Sequence, residues 1–443
     1  MKPSSFFYSL FFVLCSFAAN AASDCYSQKN VPVEELSLQQ VIELGLCRNP
    51  QTSASYLALE AARLNKNAGY APYLPNISAS ASMTKNYQNK EWSDEWTKSA
   101  SLSASYLIFD FGKRLSDLNQ LAAVWRSTGF DYDESVQNYV YGVIGAYYAL
   151  LTADADVATA ESLKKVAQTA LDTANKKFKA GSVARADVLK ADTTLASRDL
   201  ELERAKNNRE VAKGTLLSKL SFPANQNIQI ADMPSDFGKS TENKSIDELI
   251  NAAEKSRPDL LRATANKDAA WHRRNSVFLS NLPSISATGS ISYNDVSSSA
   301  YNPGTDKISG SVGIRASMPI FAGFANLYGM RAAEANYDRA KETERAAVDS
   351  VALDIFTAYQ NYKTAQTVLR QTETLLKSAT ESEKVTAGMY KVGRATMLDW
   401  QTAQGELASA QKQNNAAKYD LFTKRAAVAL AIGDIKSEIG DSK

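Results

Sequence analysis

Residues 74–84 read Leu74-Pro75-Asn76-Ile77-Ser78-Ala79-Ser80-Ala81-Ser82-Met83-Thr84, and residues 282–293 read Leu282-Pro283-Ser284-Ile285-Ser286-Ala287-Thr288-Gly289-Ser290-Ile291-Ser292-Tyr293. Each puts apolar side chains at every second position and mostly hydroxyls between. A period of two is the period of a β-strand with one apolar and one polar face. Two further segments keep it. Ala100, Leu102, Ala104, Tyr106 and Ile108 alternate with Ser99, Ser101, Ser103, Ser105 and Leu107; Val312, Ile314, Ala316, Met318 and Ile320 alternate with Ser311, Gly313, Arg315 and Ser317. Each segment is about 9 to 12 residues long, which suits a tilted strand crossing a bilayer. The apolar faces are small and the opposite faces are Ser-rich, as a wet lumen requires. A soluble hairpin resting one face on a core is the competing reading. The pattern predicts hairpins over 77–109 and 285–321, with polar loops at 85–98, carrying Trp92 and Trp96, and at 295–308, carrying Pro303-Gly304. Four strands cannot close, and lipid does not tolerate open edges. The barrel must be shared among several chains.

The strands belong to a unit written twice. Asn49-Pro50 returns as Arg257-Pro258 and Leu74-Pro75 as Leu282-Pro283, both 208 residues on. Ile108-Phe109 returns as Ile320-Phe321, Ala146-Tyr147 as Ala358-Tyr359, Lys179-Ala180-Gly181 as Lys391-Val392-Gly393, and Asp187 as Asp399, all 212 residues on. One register held through turns, strands and helices marks a duplication. The expected layout is a signal segment 1–21, a first repeat 22–220, a connector 221–245, a second repeat 246–432 and a tail 433–443.

Each repeat opens on a short amphipathic helix, with Leu38, Val41, Ile42 and Leu46 or Ile246, Leu249, Ile250 and Ala253 at helical spacing. A polar, Ala-rich helix follows in each, over roughly 50–71 and 258–280, ended by prolines. After each hairpin comes a proline-free stretch read as one very long helix, 113–178 and 325–388, which at about 1.5 Å per residue would reach nearly 100 Å. Each ends at a Gly turn and returns as a second helix, 185–219 and 397–431. Leu163, Val166, Ala170 and Leu171, opposed by Leu189, Leu195 and Leu202, predict a coiled-coil seam rich in small residues. The fold class expected is mainly α with β, a tandem-repeat protomer of long antiparallel helices and four transmembrane strands.

Lys2, the apolar run Phe6 to Phe17 and Ala19-Asn20-Ala21 read together as a secretory signal peptide. Of the three cysteines, Cys15 leaves with that segment; Cys25 and Cys47 remain for an oxidising compartment, where a disulfide between them is expected and two unpaired thiols are the alternative. The 443 residues carry 50 Lys+Arg against 48 Asp+Glu, a balance that gives no reason to seek nucleic acid. With one histidine, His272, and no phosphate loop or nucleophile motif, the chain reads as a non-enzyme without cofactor or metal. Asp154 and Asp156 read as helix surface charge.

This duplicated layout resembles the TolC family of outer-membrane efflux channels. The resemblance rests on Asn49-Pro50, on Leu-Pro before each hairpin, and on Ile108-Phe109-Asp110-Phe111-Gly112 and Ile320-Phe321-Ala322-Gly323-Phe324 at each strand-to-helix passage. Two tip sequences complete it: Phe178-Lys179-Ala180-Gly181-Ser182-Val183-Ala184-Arg185-Ala186-Asp187-Val188 and Tyr390-Lys391-Val392-Gly393-Arg394-Ala395-Thr396-Met397-Leu398-Asp399. It implies a homotrimer in the outer membrane of a Gram-negative cell, whose four strands per protomer form a twelve-stranded barrel above a helical tunnel through the periplasm. It also implies two protein partners, a periplasmic adaptor and an inner-membrane transporter of ABC or RND type, and cargo of small toxic molecules or secreted polypeptides. A periplasmic coiled-coil adaptor or scaffold is the alternative; it would need the helices but not four bilayer-length strands.

The resemblance further implies a gate at the helix tips. Asp187 and Tyr390 match a pair that bonds neighbouring coils, and Asp399 matches an acidic ring at the entrance. The family's gate arginine falls on Ala395, with Arg394 one place earlier, and a second ring carboxylate falls on Thr402. Gly181, Ser182, Gly393 and Arg394 occupy the tips that would touch the adaptor. A helix-capping role is the alternative for Asp187.

Overall fold

The computed structural model describes residues 35–88, 91–232, 245–296 and 307–435. The signal segment, Cys25 and most of the expected tail lie outside the described residues. The chain runs α1 (Leu38–Arg48), α2 (Pro50–Ala68), a 3₁₀ turn (Ala71–Tyr73), β1 (Asn76–Gln88), β2 (Glu91–Phe109), α3 (Lys113–Lys179) and α4 (Arg185–Lys219). The second repeat follows as α5 (Ile246–Ser256), α6 (Pro258–Leu279), β3 (Ser284–Val296), β4 (Ile308–Ser317), α7 (Ala325–Lys391) and α8 (Met397–Ile432).

Local chemistry sets the helix ends. Ser37 and Gln40 form a capping box that starts α1: Ser37 N–H donates to Gln40 Oε1 at 2.9 Å, and Gln40 N–H to Ser37 Oγ at 3.4 Å. Asn49 then serves two helices. Its N–H closes α1 on Gly45 O at 3.0 Å, while its side-chain oxygen accepts from the N–H of Gln51 and of Thr52 at 2.9 and 3.0 Å. Pro50, in the first turn of α2, needs no donor there. Ser245 and Glu248 form the matching box at α5.

The chain divides into two compact units, each drawing on both repeats. One comprises the described parts of Met1–Ser55, Asp133–Pro258 and Asp349–Lys443. Its largest core packs Val41 and Ile42 of α1 against Val140, Val143, Ile144 and Tyr147 of α3 and Leu216, Leu217 and Leu220 at the end of α4. The start of the expected connector joins this core rather than hanging free. Phe222 and Ile228 are buried, Leu36 N–H donates to Gln229 O and Ala231 N–H to Leu36 O, each at 3.0 Å, and Tyr147 Oη donates to Ala231 O at 2.6 Å. Residues 233–244 of the expected connector lie outside the described residues. Along the coil, Leu163, Ala170, Ala174, Ala191 and Leu202 are buried as a small-residue seam. Leu189, expected in it, is 55% exposed; Ala191, two positions on, faces inward instead.

The other unit, Tyr56–Tyr132 and Asp259–Val348, holds one antiparallel sheet in the order β1-β2-β3-β4. The register aligns like with like across all four strands. Ser78, Ser103, Ser290 and Ser311 form one row, and Ser80, Ser101, Ser292 and Ser309 the next. Within each hairpin their hydroxyls touch at 2.8–3.0 Å. The opposite face carries Ile77-Ala104-Gly289-Val312, Ala79-Leu102-Ile291-Gly310 and Ala81-Ala100-Tyr293-Ile308.

Two expectations need correction here. The segment 85–98 is not a loop: β1 and β2 continue through it to Gln88 and Glu91, with Lys85 opposite Trp96 and Tyr87 opposite Trp92. The Tyr87–Trp92 rings lie 5.2 Å apart, a cross-strand aromatic contact that a polarity count overlooks. Conversely, β4 stops at Ser317, short of the expected 321, because Pro319 has no N–H for a ladder.

Both strand-to-helix passages turn through two consecutive left-handed residues, Phe111 (φ 54°) and Gly112 (φ 90°), then Gly323 (φ 59°) and Phe324 (φ 67°). In the first repeat Arg114 clamps the passage. Its guanidinium reaches the carbonyls of Leu107 (2.8 Å), Ile108 (3.3 Å) and Pro72 (3.2 Å) and pairs with Asp110 at 3.2 Å. The second repeat has Asn326 and Ala322 at these places and lacks the clamp.

Candidate gate at the helix tips

Both coil tips close by the same backbone device. At the end of α3, Gly181 takes φ 69° and Ser182 N–H reaches back to Lys177 O at 2.9 Å. At the end of α7, Gly393 takes φ 80° and Arg394 N–H reaches back to Met389 O at 2.8 Å. This is the C-terminal cap in which a left-handed residue lets the chain reverse at little steric cost, which is why glycine stands there in both repeats. Gly181, Ser182, Gly393 and Arg394 are all exposed, and Val392 beside them is 72% exposed.

Beneath these turns lies a small core of Ala170, Ala174, Ala191, Tyr390, Met397 and Trp400, drawn from α3, α4, α7 and α8. Tyr390 is 2% exposed and its ring meets Trp400 at 5.2 Å. Its hydroxyl is buried without a hydrogen-bond partner among the described residues. Burial, and to a smaller degree the charge of Asp187, push its pKa above the ordinary phenol value. Asp187 lies in the first turn of α4, where the helix dipole favours a carboxylate. The structure thus brings Asp187 and Tyr390 within electrostatic reach but not into a hydrogen bond. No side-chain cap satisfies the start of α4, whose N-cap is Ala184.

Asp399 plays a clear local part. It forms a capping box with Thr396, accepting from Thr396 N–H at 2.8 Å and Thr396 Oγ1 at 2.7 Å. These bonds hold its carboxyl below the usual range. It is exposed at the tip, so its charge is presented to solvent. Thr402 donates its hydroxyl to Leu398 O at 3.0 Å, a helix-backbone bond that supplies no second charge.

Three tip residues escape a reading of the motifs. Lys177 Nζ donates to Tyr390 O and lies 4.4 Å from the centre of that ring. Gln401 Nε2 ties α8 to α4, donating to Lys190 O at 2.8 Å and Thr194 Oγ1 at 2.6 Å. Trp400 Nε1 donates to Glu383 Oε1 at 2.8 Å. A tryptophan in the first turn of an otherwise polar helix was the available signal. Elsewhere Asp154 pairs with Arg209 at 2.5 Å and Asp156 accepts from Asn415 at 3.1 Å, and no metal-holding cluster occurs among the described residues. Cys47 is disulfide-bonded, while Cys25 lies outside the described residues.

The family model described as outer membrane efflux protein matches residues 41–220 and 249–434. The chain belongs to the outer membrane efflux protein family. It is similar to outer membrane protein TolC of Escherichia coli (strain K12), 24% identical over 422 residues, covering 91% of this chain and 83% of that protein. Toxin and drug export protein A of Aggregatibacter actinomycetemcomitans is 20% identical over 404 residues, covering 89% and 86%. Among solved structures, the outer membrane protein VceC of Vibrio cholerae superposes with a TM-score of 0.76 at 18% identity, over 90% of this chain and 96% of that one. This outer membrane efflux protein is accordingly an efflux channel of the outer membrane, and the reading as a poreless periplasmic scaffold falls.

Proposed function

We propose that three copies of this outer membrane efflux protein close one barrel and form a conduit from the periplasm to the exterior. The observation that carries this is the sheet itself. Its outer edges, on β1 and β4, have no strand partner among the described residues, although one face is apolar enough for lipid. An unpaired ladder in hydrocarbon costs several kcal/mol per group, so the edges demand partners, and a neighbouring copy offers the matching edge. The joined serine rows then face the lumen.

The conduit catalyses nothing and stores no energy of its own. An inner-membrane ABC or RND-type transporter energises it, and a periplasmic adaptor opens it by engaging the exposed tips at Gly181, Ser182, Gly393 and Arg394. Asp187, Tyr390 and Arg394 hold the tips shut between neighbouring coils, and three copies of Asp399 form an acidic ring that favours cations at the entrance. The orphaned hydroxyl of Tyr390 beside Asp187 supports the first role, since a buried donor without a partner invites one. The cargo class is that of toxic small molecules or polypeptides, a range supported by the relative named for toxin and drug export. A disulfide from Cys25 to Cys47 ties the mature N-terminus to α1.

Detergent extraction of outer membranes followed by electrophoresis with and without heating tests the proposal. Heat-modifiable trimers are expected. Recovery of the chain in the soluble periplasmic fraction would overturn it.

A further inference from the structure

Above the tip core, α3, α4 and α8 enclose a cavity of about 670 Å³, within the size range of small-molecule sites. Two ion pairs fix the register of its first two walls. Lys164 meets Asp199 at 2.7 Å and Asp154 meets Arg209 at 2.5 Å, so antiparallel α3 and α4 set Thr159 level with Arg204. On the third wall, Asn415 donates to Asp156 at 3.1 Å and to Thr159 at 3.0 Å. Lower down, Gln401 reaches Lys190 and Thr194. Helices α4 and α8 both rise from the tips, so the step from 401 to 412 matches that from 190–194 to 201–205. Thr159, Arg204 and Lys412 therefore stand at one level, one on each wall.

Five charged side chains line the cavity: Arg198, Arg204 and Lys412 against Asp156 and Glu201, a surplus of one positive charge. Glu161 and Glu406 lie on the same helices but outside the lining. Arg198, its side chain only 13% exposed, is engaged by Glu201 at 2.6 Å, and Asp156 is engaged by Asn415. Arg204 and Lys412 form no hydrogen bond or ion pair among the described residues, although both carboxylates share the cavity with them. The surplus thus falls at the level where these two cations stand. The rest of the wall is small and mostly apolar, with Ala153, Ala160, Ala205 and Ala408 around Leu163. At Gly405 an added Cβ would meet nothing within 4 Å. We propose that this cavity binds an amphiphilic organic anion, a carboxylate or sulfonate on a rigid apolar body. The anionic head lies between Arg204 and Lys412, where charge-assisted hydrogen bonds form, and the body covers the alanine wall. A bare inorganic anion would leave that wall wet, and a neutral or cationic amphiphile would leave both cations unpaired. The site belongs to one protomer and does not depend on the shared barrel. Its ligand joins α4 to α8, the two helices that start at the tips.

Equilibrium dialysis of the full-length channel in lipid nanodiscs, with empty nanodiscs subtracted, tests this with two probes of one shape. These are 2-naphthalenesulfonate and the 2-naphthylmethylammonium cation. The sulfonate should bind at one per chain and about tenfold more tightly than the ammonium probe. R204Q/K412Q should weaken sulfonate binding about tenfold, and G405L should weaken it by filling the cavity while both cations remain. R331Q/R339Q, which removes two exposed cations of α7, should bind like the parent. Equal binding of the two probes, or full affinity in R204Q/K412Q or in G405L, would overturn the proposal. An equal loss in R331Q/R339Q would also overturn it, since binding would then follow overall charge. Should R204Q/K412Q fail to fold, G405L and the comparison of the two probes decide the matter.

Discussion

Lys177 donates its ammonium to the main-chain carbonyl of Tyr390, so the last turn of α3 holds the last turn of α7 within one chain. The same ammonium sits 4.4 Å from the centre of the Tyr390 ring. One side chain thus ties two coil tips together, 213 residues apart in sequence. A charged hydrogen bond of this kind contributes about 1 kcal/mol at a partly exposed site. Lys177→Met keeps the aliphatic stem and removes the bond. We expect it to raise single-channel conductance in planar bilayers while trimers persist; unchanged conductance would mean that the tips close by packing alone.

Tyr390 separates two effects that are usually confounded. Its ring belongs to the tip core, so Tyr390→Ala should cost about 3 kcal/mol of stability through the cavity it leaves. Its hydroxyl has no partner among the described residues, so Tyr390→Phe should leave thermal stability within about 0.5 kcal/mol of the parent. If the hydroxyl bonds Asp187 in the assembled channel, Tyr390→Phe combined with Asp187→Ala should raise conductance without lowering the melting temperature. Arg394→Ala should mimic that double variant if Arg394 substitutes for the family arginine. A double variant that melts early and conducts normally would assign both residues to stability instead.

Asp399 carries a pH signature. Its carboxyl is held below the ordinary range by hydrogen bonds from Thr396, so the capping box stabilises the folded chain fully above the unfolded carboxylate pKa, about 3.9. That stabilisation is lost as pH falls through the lower folded value. The melting difference between the parent and Asp399→Ala should therefore shrink between pH 6 and pH 3, when scanned by calorimetry. Asp399→Ala should also weaken block of the channel by multivalent cations, a separate readout of the proposed ring.

Tyr147 behaves in the opposite sense. Burial, assisted by the charge of Asp232, raises its pKa to about 12, and its hydroxyl holds Ala231 O. Its contribution is complete below the unfolded value, about 10, and fades as pH rises toward the folded one. Tyr147→Phe should cost about 1 kcal/mol near neutrality. That difference, followed by chemical denaturation, should fall above pH 10.

Much of the molecule is legible in residue patterns, for reasons that differ from element to element. The strands announce themselves because Ser and small apolar residues alternate without interruption from Ile77 to Met83 and from Ser284 to Tyr293. The long helices are bounded by Gly181 and Gly393, where glycine takes the left-handed φ without a Cβ penalty. What stays hidden depends on contacts between distant segments. Trp92 looks like a loop residue until Tyr87 is placed across from it, and Phe222 and Ile228 look like linker until the α1 core takes them in. At the tips, motif matching finds Asp187, Tyr390 and Asp399 but not Lys177 or Gln401, since a lysine and a glutamine on polar helices carry no pattern that marks them as ties.

The shared barrel is tested most directly by disulfide trapping between edge strands. Ser80→Cys on β1 would be paired in turn with a cysteine at each position of β4, residues 308–317, and the outer membranes oxidised and run on non-reducing gels. Ser80→Cys with Ser101→Cys, facing neighbours within one sheet, serves as the control for oxidation. A closed trimer predicts that one register, and its near neighbours, yields bands at two and three chain masses that collapse on reduction. If the control pair oxidises and every edge pair stays at one chain mass, the sheets do not meet and the account of a barrel built from three copies is wrong.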